Sequence, residues 1–294
     1  MTLHCHKAKH RERITTLTAN AEQIEFWNGA IGETWVRSQQ ALDASLAPIT
    51  QSLLPWASPL PGERVLDIGC GCGATTLMLA RAVAPNGSVM GVDISRPMLS
   101  VARASAETAG VAAEFTEADA AVTAYEPDFN LVFSRFGIMF FDDPVAAFAN
   151  IRQAVAPGGR LAFVCWRTML ENQWVSTPIA SAIDLLPPEV PGNPHDPGPF
   201  AFADNVRIEQ ILSTAGFRDI RVEPLDSVTI TGPTVEEAAA QSLQIGPLAR
   251  RAAKLEESVR DVIRERVAAA IAPFAGPSGV ALPAACWLVG ANVT

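Results

Sequence analysis

Arg64-Val65-Leu66-Asp67-Ile68-Gly69-Cys70-Gly71-Cys72-Gly73 is the stretch on which the fold turns. A short apolar strand runs into three glycines at alternate positions, and Thr75 to Val83 then reads as a helix. Outward from it the same alternation recurs. Ser88 to Asp93 is a second strand ending in an acid. The helix after it has Ser95 as N-cap, Pro97 in its first turn and Gly110 at its close. Strands follow at Ala113–Thr116, Asn130–Phe133 and Leu161–Trp166. The helix opened by Pro144 turns Val145, Phe148, Ile151 and Val155 inward and stops at Pro157-Gly158-Gly159. Strict strand–helix alternation predicts a parallel sheet with helices on both faces.

The flanks are less regular. Residues 1–19 are polar and basic and read as a flexible tail; His4, Cys5, His6 and His10 lie there without a fixed backbone to make them metal ligands. Residues 20–57 read as helical, with Leu42, Leu46, Ile49 and Leu53 on one face and Pro48 expected to kink or split the run. Residues 167–202 read as a long irregular connection. Residues 203–231 read as a helix capped by Asp204 and ended by Gly216, then strand six at about 219–230. Residues 232–280 read as two helices, the first with a Thr234/Glu237 capping box, the second with Leu255, Val259, Val262, Ile263 and Val267 as its apolar face. Within 281–294, Trp287–Val289 is a last short strand. The expectation is one domain over 20–294: an N-terminal helical cap (20–57), a cofactor-binding core (58–166), an irregular cap insertion (167–202), the helix and strand six, a helical insertion (232–280) and the final strand.

Composition narrows the function classes. The 294 residues are 49% hydrophobic and 18% charged, enough apolar surface for a packed core. A net charge of -9 disfavours nucleic acid as the main partner. The Arg and Glu residues of 250–266 alternate as a solvated face rather than a basic stripe. No apolar run reaches the ~20 residues of a membrane span, and no signal segment opens the chain. Five scattered cysteines argue against a disulfide scaffold, which makes a cytoplasmic location the expectation. Three lysines against many Arg, Ala and Pro suggest a bacterial, GC-rich source.

The glycine turn alone is compatible with a dinucleotide, since Gly69-x-Gly71-x-x-Ala74 meets the loose pattern. Asp67 separates the readings. Two unit charges ~4 Å apart interact by about 4 kcal/mol at an effective dielectric of ~20, so a carboxylate here repels a pyrophosphate. It suits a ligand carrying ammonium and sulfonium, as S-adenosylmethionine does. Asp93, about 20 residues after Gly73, suits the ribose hydroxyls of either ligand. Asp119, after strand three, is placed for an adenine amino group. The Cys70/Cys72 pair lacks further ligands nearby for a metal, so none is expected.

With these motifs in order, the chain resembles class I S-adenosylmethionine-dependent methyltransferases, near the small-molecule group of ubiquinone/menaquinone methyltransferases. Val65–Gly73 is similar to the first motif, Gly91–Ser95 to the ribose-binding strand end and Ala118-Asp119-Ala120 to the adenine turn. Phe133-Ser134-Arg135-Phe136 takes the post-strand-four place, and Pro157–Leu161 is the turn into strand five. Cys72, between two family glycines, departs from the pattern. The resemblance implies a Rossmann-like, doubly wound, seven-stranded, mostly parallel sheet whose last strand is antiparallel, between five and six, plus helical caps. It implies S-adenosyl-L-methionine as cofactor, held by Asp67, Gly69, Cys70, Gly71, Gly73, Asp93, Ile94, Met98, Asp119, Ala120, Ser134 and Phe136. Asp67 orients the amino group, Asp93 takes the ribose, Ile94 packs on adenine, and Asp119 with Ala120 holds its edge.

Methyl transfer from a sulfonium is an in-line displacement needing alignment and dryness, and a base only for some acceptors. His195, beside Asp196, is the candidate base or else a surface-turn histidine. Trp27, Trp35, Met139, Glu171, Trp174 and Gln244 are candidates for a pocket around a small, partly apolar acceptor; the aromatics among them equally suit helix packing. The competing readings are an NAD(P)-dependent oxidoreductase and a non-catalytic S-adenosylmethionine-binding protein.

Overall fold

The computed structural model describes residues 20–188 and 192–293. The expected tail, with His4, Cys5, His6 and His10, lies outside the described residues. In chain order the strands are β1 (Arg64–Ile68), β2 (Ser88–Asp93), β3 (Glu114–Glu117), β4 (Phe129–Arg135), β5 (Val155–Trp166), β6 (Arg218–Gly232), β7 (Ala275–Gly276) and β8 (Gly279–Asn292). The helices are α1 (Ala21–Asn28), α2 (Ala30–Arg37), α3 (Gln39–Ala57), α4 (Ala74–Val83), α5 (Arg96–Ala109), α6 (Pro144–Ala154), α7 (Gln173–Ser181), α8 (Asn205–Thr214), α9 (Val235–Ser242), α10 (Pro247–Ala252) and α11 (Glu257–Ile271). None is long and apolar enough to cross a membrane.

The strand order is β3-β2-β1-β4-β5-β8-β6, with β7 paired to β8. β1 to β5 are parallel, and β8 lies antiparallel between β5 and β6. This is the expected seven-strand order with one two-residue strand added. β1 pairs with β2 on one side and β4 on the other, so the winding reverses between β1 and β4. Ligands of open α/β sheets enter at such a reversal, past the strand carboxyl ends. β1 is buried on both faces, hence Val65, Leu66 and Ile68; Asp67, 1% exposed, is the exception.

Several stretches differ from the sequence expectation, most because tertiary packing overrides local signals; β5 already begins at Val155, which the sequence reading placed in the preceding helix. α3 runs through Pro48, since burial of Ile49, Leu53 and Ala57 outweighs one lost backbone bond; the breaks fall at Gly29 and Ser38. α7 interrupts the supposedly irregular 167–202. Its leading Asn172 is buried and plugs β8, donating from Nδ2 to the Ala285 carbonyl and accepting from the Ala285 N–H. Residues 232–280 hold three α-helices, not two, because Gly246-Pro247 starts α10, and Val262 is exposed rather than inward. The last strand has 14 residues, since small residues and Pro283 mask a segment that pairs along β6.

That length has a consequence. β5 ends where Trp166 pairs with Cys286. Residues 280–285 of β8 continue past that point paired to β6, a two-stranded arm reaching roughly 20 Å beyond the ligand edge at ~3.4 Å per residue. α7, α9, α10 and α11 pack on this arm around a second core that includes Val175, Ile179, Ile263, Val267, Val280 and Leu282.

The turns after β1 and β4 touch backbone to backbone. A methyl on Gly137 would lie 2.7 Å from the Ile68 carbonyl oxygen and 2.8 Å from Gly69 Cα. Gly137 has an ordinary αR backbone, so contact alone demands glycine there. Gly137→Ala is expected to destabilise the chain by about 1–3 kcal/mol, read as a lowered urea midpoint; an unchanged midpoint would mean that the two turns do not meet.

Candidate functional site

The glycine loop is held from both sides. Gly69, Gly71 and Gly73 have φ of +67°, +55° and +86°, a backbone that side chains resist. The Gly69 and Cys70 N–H groups donate to the Val92 carbonyl, at 2.9 and 3.1 Å. Asp93 accepts from the Gly71 N–H and from the Ser95 N–H, each at 2.8 Å. Asp93 thus shapes the loop; burial raises its pKa, and these N–H bonds oppose the rise. A methyl on Gly71 would meet nothing nearer than Met98 Sδ at 3.8 Å, so this face of the loop is open. Burial pushes the Cys70 thiol well up and the Cys72 thiol up to about 12, which keeps both protonated.

Asp67 lies beneath the loop. Its Oδ2 accepts from Thr75 Oγ1 at 2.8 Å and Thr76 Oγ1 at 2.6 Å; its Oδ1 is buried without a partner among the described residues. Burial raises its pKa from 3.8 to about 6, against those hydroxyls and the charge of Arg135. Arg135 ends β4. It donates to Thr50 Oγ1 at 2.9 Å and to Asp43 Oδ1 at 3.4 Å, both on α3. Asp43, Thr50 and Arg135 were absent from the sequence-derived site. The available signal was a charge closing an otherwise buried strand; Asp43 had none, since only the packing of α3 brings it here.

The N-terminal helices are strapped across the ends of β2, β3 and β4. The Asn20 side chain donates to both oxygens of Asp119, at 2.9 and 3.1 Å, and accepts from the Asp142 N–H. Asn28 donates to the Ile94 carbonyl and accepts from the Arg96 N–H. Ser95 does not cap α5 with its side chain; its hydroxyl donates to the Trp27 carbonyl at 2.8 Å, an inter-element bond local sequence does not encode. Asp119 also accepts from the Ala121 N–H, and Ala120 is buried in the main core.

The acceptor-side expectations divide. Trp27 meets Trp35 and Phe140 edge to face. Phe136, at φ +64°, stacks on Trp166 with centroids 4.0 Å apart, and Trp166 tilts against Trp174. Ser134 sits under the turn, donating to the Ile68 carbonyl at 2.7 Å. Met139 is buried in the main core. Glu171 is exposed and spends its carboxylate on Arg167 and Thr168, and Gln244 is exposed on the helical layer. His195 is exposed in a turn tied down by the Gly198 N–H on the Met139 carbonyl; its imidazole has no partner among the described residues.

Residues 65–159 match the methyltransferase domain family. Over 233 residues the chain is 27% identical to nocamycin O-methyltransferase of Saccharothrix syringae, 73% of this chain and 83% of that one. It is 41% identical over 101 residues to demethylmenaquinone methyltransferase of Thermus thermophilus, 34% of this chain and 45% of the relative, so less than half of that protein is spanned. In three dimensions it resembles phosphoethanolamine N-methyltransferase 2 of Haemonchus contortus, solved with S-adenosyl-L-methionine. The TM-score is 0.58 at 19% identity, over 92% of this chain and 60% of that one.

The raised pKa of Asp67 has a stability signature. The folded chain keeps this carboxyl protonated up to about 6, the unfolded chain only up to about 3.8, so the group costs the fold stability as pH rises through that window. Relative to Asp67→Asn, the wild type should gain about 2 kcal/mol between pH 7 and pH 4.5. Urea titrations of both proteins at the two pH values measure this, and a pH-independent gap would contradict the burial of an ionisable Asp67.

Proposed function

We propose that residues 65–159 form a class I S-adenosylmethionine-dependent methyltransferase domain and that the chain transfers a methyl group from S-adenosylmethionine to a small, partly apolar acceptor. The observation that carries the reading is the pairing of an open left-handed glycine loop with two buried carboxylates at the ends of β1 and β2. That donor set fits the cofactor: the unpartnered Asp67 Oδ1 is an acceptor in need of a donor, directly or through water, and an ammonium supplies one. A pyrophosphate in the same place would face Asp67 with like charge.

When bound, S-adenosylmethionine supplies a methyl group already activated by a positive sulfur. The chain's own residues then have three tasks. The first is to hold the cofactor. In this reading Gly69, Cys70, Gly71 and Gly73 bring backbone against it, and Asp93 accepts from the ribose hydroxyls with lone pairs left over from Gly71 and Ser95. Ile94 and Met98 flank adenine, and Asp119 with Ala120 borders its edge. Asn20, already on Asp119, closes that side.

The second task is to align the acceptor in line with the bond that breaks and to keep water out. The strap of α1 and α2, the insertion 167–202 and the helical layer on the β6–β8 arm are the segments we assign to it. Phe136, Trp166 and Trp174 form an aromatic wall between them, with Trp27 and Trp35 on the strap side. An aromatic wall favours an acceptor with apolar surface.

The third task, needed only where the acceptor must lose a proton, falls to His195. It is the one histidine among the described residues, and its turn is tied to Met139 just past β4.

Calorimetry tests the cofactor. Micromolar binding of S-adenosylmethionine or S-adenosylhomocysteine, with none of NADH, is expected; NADH binding alone would overturn the reading. Asp93→Ala should weaken that binding at least tenfold with the circular dichroism spectrum unchanged, and equal affinity would remove Asp93 from the ribose. His195→Ala should lower turnover of an acceptor while cofactor affinity holds; normal turnover would make His195 a surface-turn residue only.

A further inference from the structure

Two groups at the ends of β1 and β4 lack adequate partners, and their deficits are of opposite sign. Asp67 Oδ1 is a buried acceptor with no donor among the described residues. Arg135 is a cation whose side chain is only 13% exposed. A guanidinium has five N–H donors. Here one meets a neutral hydroxyl, Thr50 Oγ1, and one meets Asp43 Oδ1 at a stretched 3.4 Å. The Asp43 carboxylate is itself 34% exposed, so water shares its charge. Burial lowers the pKa of Arg135 while Asp43 and Asp67 oppose that drop.

An added anion would satisfy the arginine and leave Asp67 as it is. An added cation would do the reverse. A zwitterion repairs both and adds no net charge, and an α-amino acid is such a zwitterion. The arginine fork also matches a carboxylate with two parallel hydrogen bonds, which a lysine could not make. The place is right as well. The turn beyond Arg135 packs on Gly69 of the loop, and Asp43 is close enough to act on Cys72 in that loop.

We propose that Arg135 binds the α-carboxylate of the amino-acid end of S-adenosylmethionine, opposite Asp67, which faces the ammonium. Asp43 and Thr50 are positioning residues that hold the guanidinium between α3 and β4. The proposal rests on the cofactor reading above and adds a residue to it. It also links the N-terminal helices to cofactor affinity, because α3 supplies both supports of Arg135.

Calorimetry with three ligands separates the possibilities: S-adenosylhomocysteine, its decarboxylated analogue and methylthioadenosine, which lacks the amino-acid end. The wild type should bind the decarboxylated analogue roughly 10- to 100-fold more weakly than S-adenosylhomocysteine. Arg135→Ala should lose a similar factor for S-adenosylhomocysteine and bind the two alike, near the affinity for methylthioadenosine. Arg135→Met, which keeps the length, serves if the alanine variant does not fold by circular dichroism. Arg135→Lys should restore part of the discrimination. Equal binding of the two ligands by the wild type would overturn the proposal, as would a folded Arg135 variant that still discriminates in full. An Arg135 variant that binds S-adenosylhomocysteine normally but has a raised KM for the acceptor would overturn it too, moving the arginine to the acceptor. No binding of S-adenosylhomocysteine by the wild type would overturn the cofactor reading itself, a distinct outcome.

Discussion

A carboxylate buried at the end of β1 is the constraint around which the site is arranged. Asp67 stands where the sheet reverses its winding, out of water, and it destabilises the fold as long as it carries charge. Its surroundings moderate that cost without removing it. Thr75 and Thr76, from the first turn of α4, satisfy one oxygen, and Arg135 contributes an opposite charge. The other oxygen has no partner among the described residues. A fold tolerates such a deficit where a ligand repairs it, and in the proposed reading that ligand comes to the open glycine loop above Asp67.

Asp93 plays the complementary part. Its two oxygens accept from Gly71 and Ser95, so it shapes the loop before any ligand arrives. The loop is also set against the turn after β4, where Gly69 and Gly137 meet with no room for a side chain. Loop, strand end and post-strand turn are therefore one rigid unit, and preorganisation of this kind lowers the ordering cost of binding. The parts around it differ. The strap from Asn20 to Arg37 is fastened by a few side-chain bonds at Asp119, Ile94 and Trp27. The helical layer has a core of its own on the β6–β8 arm. Under the proposed function, a cofactor floor with separately built covers would let acceptor preference vary without disturbing the cofactor site.

Legibility in the sequence followed the range of the interactions. The strands and helices from 64 to 166 were readable because buried parallel strands are apolar runs and each βα turn carries its own glycine, proline or cap residue. Asp204 caps α8 as its position suggested. Where elements depend on partners far along the chain, local signals misled. Val280 to Ala285 contains proline and small residues, yet forms strand through pairing with β6. Pro48 lies inside a continuous α3 because of what α3 packs against. Ser95 stands at the N-cap of α5 as expected, but its hydroxyl serves Trp27.

The site divides along the same line. Sequence by itself determined the order of strands, the glycine turn and the acids at strand ends, because each rests on backbone geometry within a few residues. It also carried the family resemblance, which lives in those turns. Tertiary structure alone decided which charges meet. Asp43 and Thr50, both on α3, lie 92 and 85 residues before Arg135 and meet it only when α3 packs on the sheet, and Asn20 reaches Asp119 across 99 residues. Electrostatic partnership depends on distance through space, burial and water access, and none of these is written in the spacing of residues along the chain.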